Sequence, residues 1–301
     1  MNLTDIMLRA KNHSRQTVAV AVAEDFEVKE AVSIALDNDL ANFLLFGNEQ
    51  AIYEMYEDLL KNEQFAERLK IVHTHSNKEA AKSAVVAVRS GEASIVMKGN
   101  LSSSVLLKEV LNKEYGLRDK SVLSHVAIFD VPGRENAVIV TDAAMNIAPT
   151  LDQKVKIIEN SVEIARKVGI ETPKVAVLAA VEVVNPAMQA TLDAASLTVM
   201  NTRGQIKNCI VDGPLALDNA ISVEAAEHKG LTGEVAGRAD ILLVPTIETG
   251  NILYKSLVFM ANSEVAALIA GAKAPIVLTS RSDSAMTKLY SLALAICNSK
   301  N

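Results

Sequence analysis

Short apolar runs, most of them uninterrupted rather than alternating, recur from residue 17 to residue 279. The runs at 17–22, 43–46, 70–73, 94–97, 125–129, 137–140, 174–178, 208–211, 240–244 and 275–279 read as strands. Continuous apolar character fits strands covered on both faces, because a half-exposed strand alternates. Longer stretches of helical period separate the runs. The clearest predicts a helix over 151–168, with Leu151, Val155, Ile158, Val162 and Ala165 on one stripe. Thr150 followed by Gln153 predicts a capping box at its start, and Gly169 predicts its stop. This alternation predicts an α/β fold with doubly wound, mostly parallel sheets. No internal repeat, low-complexity segment or long flexible linker breaks the pattern. The most irregular stretch is Asp-Val-Pro-Gly-Arg-Glu-Asn at 130–136, where Pro132-Gly133 reads as a turn and a domain crossing fits best.

Composition narrows the class. A chain of 301 residues has room for one large or two medium domains. Half its residues are hydrophobic but only 4% are aromatic and none is Trp, so Ala, Val, Ile and Leu carry the core. That excludes an aromatic stacking platform for single-stranded nucleic acid. The net charge of −6 likewise lacks the positive field of a nucleic-acid binder. A polyanionic small molecule would bind only where Lys, Arg or helix N-termini are focused locally. Cys209 and Cys297 match no metal-ligand or redox spacing and read as small buried hydrophobes in a reducing cytosol. The N-terminus has no signal-peptide core, and no segment approaches the ~18 apolar residues of a membrane span. The expectation is a soluble cytoplasmic protein with neither nucleic acid nor membrane as partner.

In open parallel sheets, ligands bind beyond the carboxyl ends of strands, where loops lead into helix N-termini. Three such junctions carry polar chemistry. After the run ending at Met97 come Lys98, Gly99, Asn100, Leu101, Ser102, Ser103 and Ser104. Gly99 allows close backbone approach, the serines cover a helix start whose free N–H groups attract anions, and Lys98 adds a point charge. Serines also serve as ordinary caps, and the residues alone do not choose between these readings. After the run at 240–244, Thr249, Gly250 and Asn251 place small polar groups and a flexible backbone at a helix start, with Lys255 on its first turns. A turn with a surface lysine is the simpler account of this junction taken alone. After the run at 275–279, Ser280, Arg281, Ser282 and Asp283 pack a hydroxyl, a guanidinium and a carboxylate into four residues. The planar fork of Arg suits phosphate, and a carboxylate beside it orients the guanidinium or accepts a proton. A plain Arg–Asp surface pair is the weaker account, since such a pair has no reason to sit at the end of a core strand.

His125 opens a predicted strand and reads as a buried packing residue. The remaining histidines show no ligand spacing. No GxSxG, Walker A or GxGxxG motif is present, which leaves metal hydrolysis and dinucleotide chemistry without support.

At these junctions the chain resembles the phosphate acetyl/butyryltransferase family. The resemblance rests on TDAAMNIAPTLDQK at 141–154, VDGPLALDNAIS at 211–222, ADILLVPTIETGNILYK at 239–255 and TSRSDS at 279–284, in this order and spacing. MKGNLSSSVLLKEVL at 97–111 and SHVAIFDVPG at 124–133 look like the butyryl branch. The resemblance implies a two-domain α/β/α fold of the isocitrate- and isopropylmalate-dehydrogenase type. One domain would be formed by 1–129 with 270–301 and the other by 130–269, with the active site in the cleft between them. It implies a homo-oligomer that converts butyryl-CoA and phosphate to butyryl phosphate and CoA, with no metal or cofactor and with CoA as a substrate. Another chain length, or a non-catalytic module that binds acyl-CoA or acyl phosphate, is the alternative. Carried over by position, Arg281 would bind the phosphoryl group and Ser280 would hydrogen-bond the CoA sulfur. The transition state resembles a tetrahedral oxyanion, so cations and N–H donors should stabilise it. The thiol, with a reference pKa of ~8.5, needs a base or a positive field to react as thiolate. Acetyl-branch members carry a carboxylate about one and a half turns after the Arg. Here Met286 and Thr287 occupy those positions, and Asp283 is the nearest carboxylate. Where that branch also carries an Arg after the Tyr-Lys pair, Phe259 stands here, which implies a more apolar acyl pocket.

Overall fold

The computed structural model describes residues 1–120, 122–280 and 283–299. The chain forms two compact units, residues 4–121 with 266–301 and residues 1–3 with 122–265. The first unit begins with α1 (Leu3–Lys11), β1 (Gln16–Ala21), α2 (Phe26–Asp37), β2 (Ala41–Gly47), α3 (Glu49–Met55) and α4 (Glu57–Leu60). It continues with β3 (Leu69–His73), α5 (Asn77–Ser90), β4 (Ile95–Lys98) and α6 (Ser103–Val110). The second unit holds β5 (Ser124–Asp130), β6 (Val138–Thr141), α7 (Leu151–Lys167), β7 (Lys174–Leu178), α8 (Gln189–Thr202) and β8 (Ile210–Leu215). It is completed by α9 (Leu217–Ile221), α10 (Val223–His228), β9 (Ile241–Leu243) and α11 (Ile247–Phe259). The chain then rejoins the first unit through β10 (Glu264–Ala270), β11 (Ile276–Val277) and α12 (Ala285–Asn298).

Strands of the first unit lie in the order β3-β2-β1-β4-β11-β10, parallel except where β10 meets β11. The chain lays down β1, β2 and β3 in one direction and then places β4 on the other side of β1. That reversal is a topological switch point, the place where such sheets open a ligand crevice. α2 packs on α12, and α5 packs on α6. Val18, Val20, Ile95, Val96, Met97, Ile276 and Val277 are fully buried, as expected of strands that are apolar on both faces.

In the second unit the order is β5-β6-β9-β7-β8, with β5 and β6 antiparallel and the other pairs parallel. The Pro132-Gly133 stretch links the two antiparallel strands. α7 forms with the predicted capping box intact, Thr150 and Gln153 each bonded to the other's backbone. Its buried face also takes Lys154, whose ammonium pairs with Asp193 of α8 at 2.6 Å, and Gln189 donates to the other Asp193 oxygen. A charged pair this buried persists because each member neutralises the other.

Each predicted run coincides with a strand, although β8 extends to Leu215 and β11 contracts to Ile276–Val277. β10 is the exception: its Glu-Val-Ala-Ala-Leu-Ile-Ala run is continuously apolar after Glu264, but its alanines carry little β preference, and no strand is predicted there. It is a strand because it pairs with β11 and because Ala267 N–H donates to Ser291 Oγ on α12. Both cysteines are free, and burial pushes each thiol up to about 11. Among the described residues no helix is long and apolar enough to cross a membrane.

Candidate active site

The first unit brings two of the three polar junctions side by side. β4 and β11 are parallel neighbours, with Val96 beside Ile276 and Met97 beside Val277. Their carboxyl ends therefore deliver the 98–104 segment and the residues Thr279 and Ser280 to the same end of the sheet.

The turn after β4 is fixed by its fit to the end of β1. Gly99 N–H donates to the Ala21 carbonyl at 2.9 Å and Asn100 N–H to the Val22 carbonyl at 2.8 Å. A Cβ on Gly99 would land 2.0 Å from the Val22 oxygen, so this approach needs glycine. Val22 itself has φ 59°, an unfavourable conformation for a β-branched residue. The Asn100 amide donates to the Glu24 carbonyl at 3.2 Å. Lys98 is 3% exposed and its ammonium donates to the carbonyls of Gly99 and Leu101, both at 3.1 Å, which holds the loop from inside. Ser102 is the N-cap of α6 by position, yet its side chain bonds Ser104 Oγ at 3.0 Å instead of capping the helix. Ser102, Ser103 and Ser104 are exposed.

After β11, Asp283 organises the turn. Its Oδ2 accepts the Ser280 N–H at 2.7 Å while its own N–H donates to the Ser280 carbonyl at 3.2 Å. Oδ1 has no hydrogen-bond partner among the described residues. Ser284 caps α12 by accepting the Thr287 N–H at 3.2 Å. Arg281, the guanidinium named from sequence, lies outside the described residues together with Ser282.

A sign pattern separates these two helix ends from the rest of the unit. α1, α2, α3, α4 and α5 all carry an acidic residue in the first turn, namely Asp5, Glu27, Glu49, Glu57 with Asp58, and Glu79. α6 and α12 carry none. A carboxylate in the first turn satisfies the positive helix end, and α6 and α12 lack one there, although Asp283 stands directly before the Ser284 cap of α12.

The third junction lies in the second unit and works differently. α11 starts at Ile247 with Thr246 as N-cap, so Thr249, Gly250 and Asn251 sit within the helix rather than before it. Gly250 is a packing glycine: a Cβ there would lie 2.7 Å from the Asp142 carbonyl oxygen. The positive end of α11 is already used by Glu248, whose carboxyl is held below its usual range by its own backbone N–H and by the Thr246 hydroxyl. Asn251 and Lys255 are exposed, and the Lys255 ammonium lies 5.6 Å from the Tyr254 ring centroid and 5.4 Å from that of Phe259. Tyr254 packs edge-on against Phe129 and His125, so His125 is a packing residue here.

At the carboxyl ends of β7 and β9 the second unit opens a cavity of 780 Å³, lined by Leu178, Met188, Leu217, Thr249, Ile252 and Leu253 among others. Thr249 is the one sequence-named site residue in its wall, and Phe259 is not part of it. No local signal marks this cavity, because it is assembled from four separate segments. Sequence reasoning also missed Val22 and Glu24, whose carbonyls accept the Asn100 N–H and side-chain amide and so fix the turn after β4 from the β1 side. Among the described residues no group of three or more His, Cys, Asp or Glu is placed to hold a metal ion.

Residues 64–296 match the family described as phosphate acetyl/butaryl transferase. A protein of Bacillus subtilis called probable phosphate butyryltransferase is 55% identical over 300 residues, covering 100% of this chain and 99% of the other. The phosphate butyryltransferase of Clostridium acetobutylicum is 48% identical over 294 residues, covering 98% and 97%. The crystal structure of a branched-chain phosphotransacylase from Enterococcus faecalis V583 superposes with a TM-score of 0.81 at 39% identity, covering 94% of this chain and 98% of the other.

The cap geometry generates a contrast between two serines. Ser284→Ala removes a working cap and should cost about 1 kcal/mol in urea unfolding. Ser102→Ala removes none and should stay within about 0.5 kcal/mol, yet it should raise the KM for phosphate. Equal stability losses from the two would contradict the assignment.

Proposed function

The chain belongs to the phosphate acetyl/butaryl transferase family, and we propose that butyryl is the group it moves between phosphate and coenzyme A. The enzyme is an acyltransferase that exchanges phosphate and CoA on a short acyl group. The observation that carries the site reading is the pair of acid-free helix ends after the neighbouring strands β4 and β11.

In this reading the phosphate sits against the 98–104 and 279–284 turns, with Arg281 as its forked cationic partner. Ser102, Ser103 and Asn100 face it as polar donors, while Lys98 and Gly99 set the shape of the turn. A phosphate oxygen attacks the thioester carbonyl carbon and forms a tetrahedral oxyanion. The carbon–sulfur bond then breaks, CoA leaves as thiolate, and acyl phosphate remains. Ser280 hydrogen-bonds the departing sulfur. In the reverse direction Asp283 is the base for the CoA thiol, through the oxygen that the Ser280 N–H leaves unused. Thr249, Asn251 and Lys255 of α11 serve CoA, with Lys255 as a cation for its phosphates, and Gly250 lets that helix approach β6. The reaction as written uses no metal or organic cofactor.

The enzyme is also read as a cytoplasmic homo-oligomer. Free Cys209 and Cys297 support the compartment. Ile252 and Phe259, each 66% exposed, and Met260, 82% exposed, lie along one side of α11 and its end. Such a stripe suits contact with a second copy of the chain.

Phosphate-dependent CoA release, followed with a thiol reagent across straight and branched C2–C6 acyl-CoA, tests the substrate. Butyryl-CoA should give the highest kcat/KM, and a higher value for acetyl-CoA or a branched substrate would reassign the acyl group. Arg281→Ala should lower kcat/KM by ~10²–10³-fold; an unaffected variant would remove this turn from the chemistry. By sedimentation the protein should exceed its monomer mass of 32.2 kDa, and Ile252→Glu should shift it toward monomer. A wild-type monomer would overturn the oligomer reading.

A further inference from the structure

Lys288 is the fourth residue of α12, in its first turn, and is 2% exposed. Three features of that position oppose a cation. An ammonium taken out of water is costly unless a partner offsets it. The N-terminal turn of a helix is the positive end, where cations are disfavoured. And among the described residues Lys288 has no carboxylate in ion-pair range: its bond is to the neutral carbonyl of Asp283, at 2.5 Å. The contrast with Lys154, equally buried but paired with Asp193 at 2.6 Å, shows how the same fold treats a lysine whose charge is internally balanced. A second polar group close by in the chain is also unmatched. Thr279, the residue before the turn, is 4% exposed and its hydroxyl has no hydrogen-bond partner among the described residues.

The Lys288 ammonium leads to the reaction turn in two steps, through the Asp283 carbonyl and then from the Asp283 carboxylate to the Ser280 N–H. We propose that Lys288 is a positioning residue for phosphate: its buried ammonium, with no carboxylate in ion-pair range among the described residues, holds the Asp283 backbone beside Ser280 and adds positive charge that favours the bound anion. This rests on the reading that this turn receives the phosphate. Lys288 does not touch the reacting atoms. It holds the Asp283 backbone in place and adds attraction for a dianion beside the start of α12.

The test uses the full-length enzyme, butyryl-CoA and inorganic phosphate. Lys288→Met keeps the length of the side chain and removes the charge; Lys288→Gln removes the charge but keeps a donor for the Asp283 carbonyl. Both should raise the KM for phosphate by about tenfold or more, with the KM for butyryl-CoA within about twofold. Thermal stability without phosphate should be unchanged or higher, because an unbalanced buried charge is gone. Added phosphate should raise the melting temperature of wild type much more than that of either variant. A folded Lys288→Met or Lys288→Gln protein with wild-type KM for phosphate would overturn the inference. So would loss of stability as the sole change, which is what a purely structural lysine gives. Arg281→Lys, assayed alongside, separates the two levels. If Arg281→Lys leaves phosphate kinetics intact, the site reading falls and this inference with it. If Arg281→Lys impairs phosphate use and Lys288→Met does not, only the role of Lys288 is lost.

Discussion

The parallel pairing of β4 with β11 sets the position of everything chemical in the first unit. The two strands are far apart in the sequence, and β11 is only two residues long. Yet the register of Val96 with Ile276 and Met97 with Val277 brings the carboxyl ends of both strands to one edge. The described polar groups after Met97 and after Val277 then lie at one end of the sheet, an arrangement that neither segment could form alone. Disruption of that pairing would scatter the site even with all its side chains present.

Charge placement makes that neighbourhood selective. The first unit puts a carboxylate into the first turn of α1, α2, α3, α4 and α5, and omits it from α6 and α12. The net charge of −6 belongs to the protein as a whole, while a local pair of positive helix ends remains open. In the second unit Glu248 occupies the end of α11, so that helix offers Asn251, Lys255 and an apolar side in place of a free anion site. α8, also in the second unit, starts without an acidic residue in its first turn.

Much of this was legible in the chain. Uninterrupted apolar runs located ten of the strands, because buried parallel strands need no alternation to be recognised. The capping box at Thr150 and Gln153 was readable because both partners lie within one turn. β10 was missed because the alanines in its apolar run carry little β preference; pairing with β11 and the bond from Ala267 to Ser291 help hold it as a strand. At the site, residue types were legible while their uses were not. Gly99 reads correctly as a close approach, but what it approaches, the Val22 carbonyl, comes from another strand. Gly250 looks like a flexible helix start and is instead a packing contact inside α11. Lys98 looks like a free charge and is bound to the carbonyls of its own loop. The 780 Å³ cavity has no local signature, as its wall comes from segments around residues 178, 188, 217 and 249.

The central claim is that the turns after β4 and β11 form one phosphate site. A crystal structure of the enzyme soaked with phosphate tests it most directly. The account predicts phosphate oxygens within hydrogen-bond distance, about 2.7–3.2 Å, of groups from both the 98–104 and the 279–284 turns. Phosphate bound to the α11 residues alone, or to only one of the two turns, would contradict it.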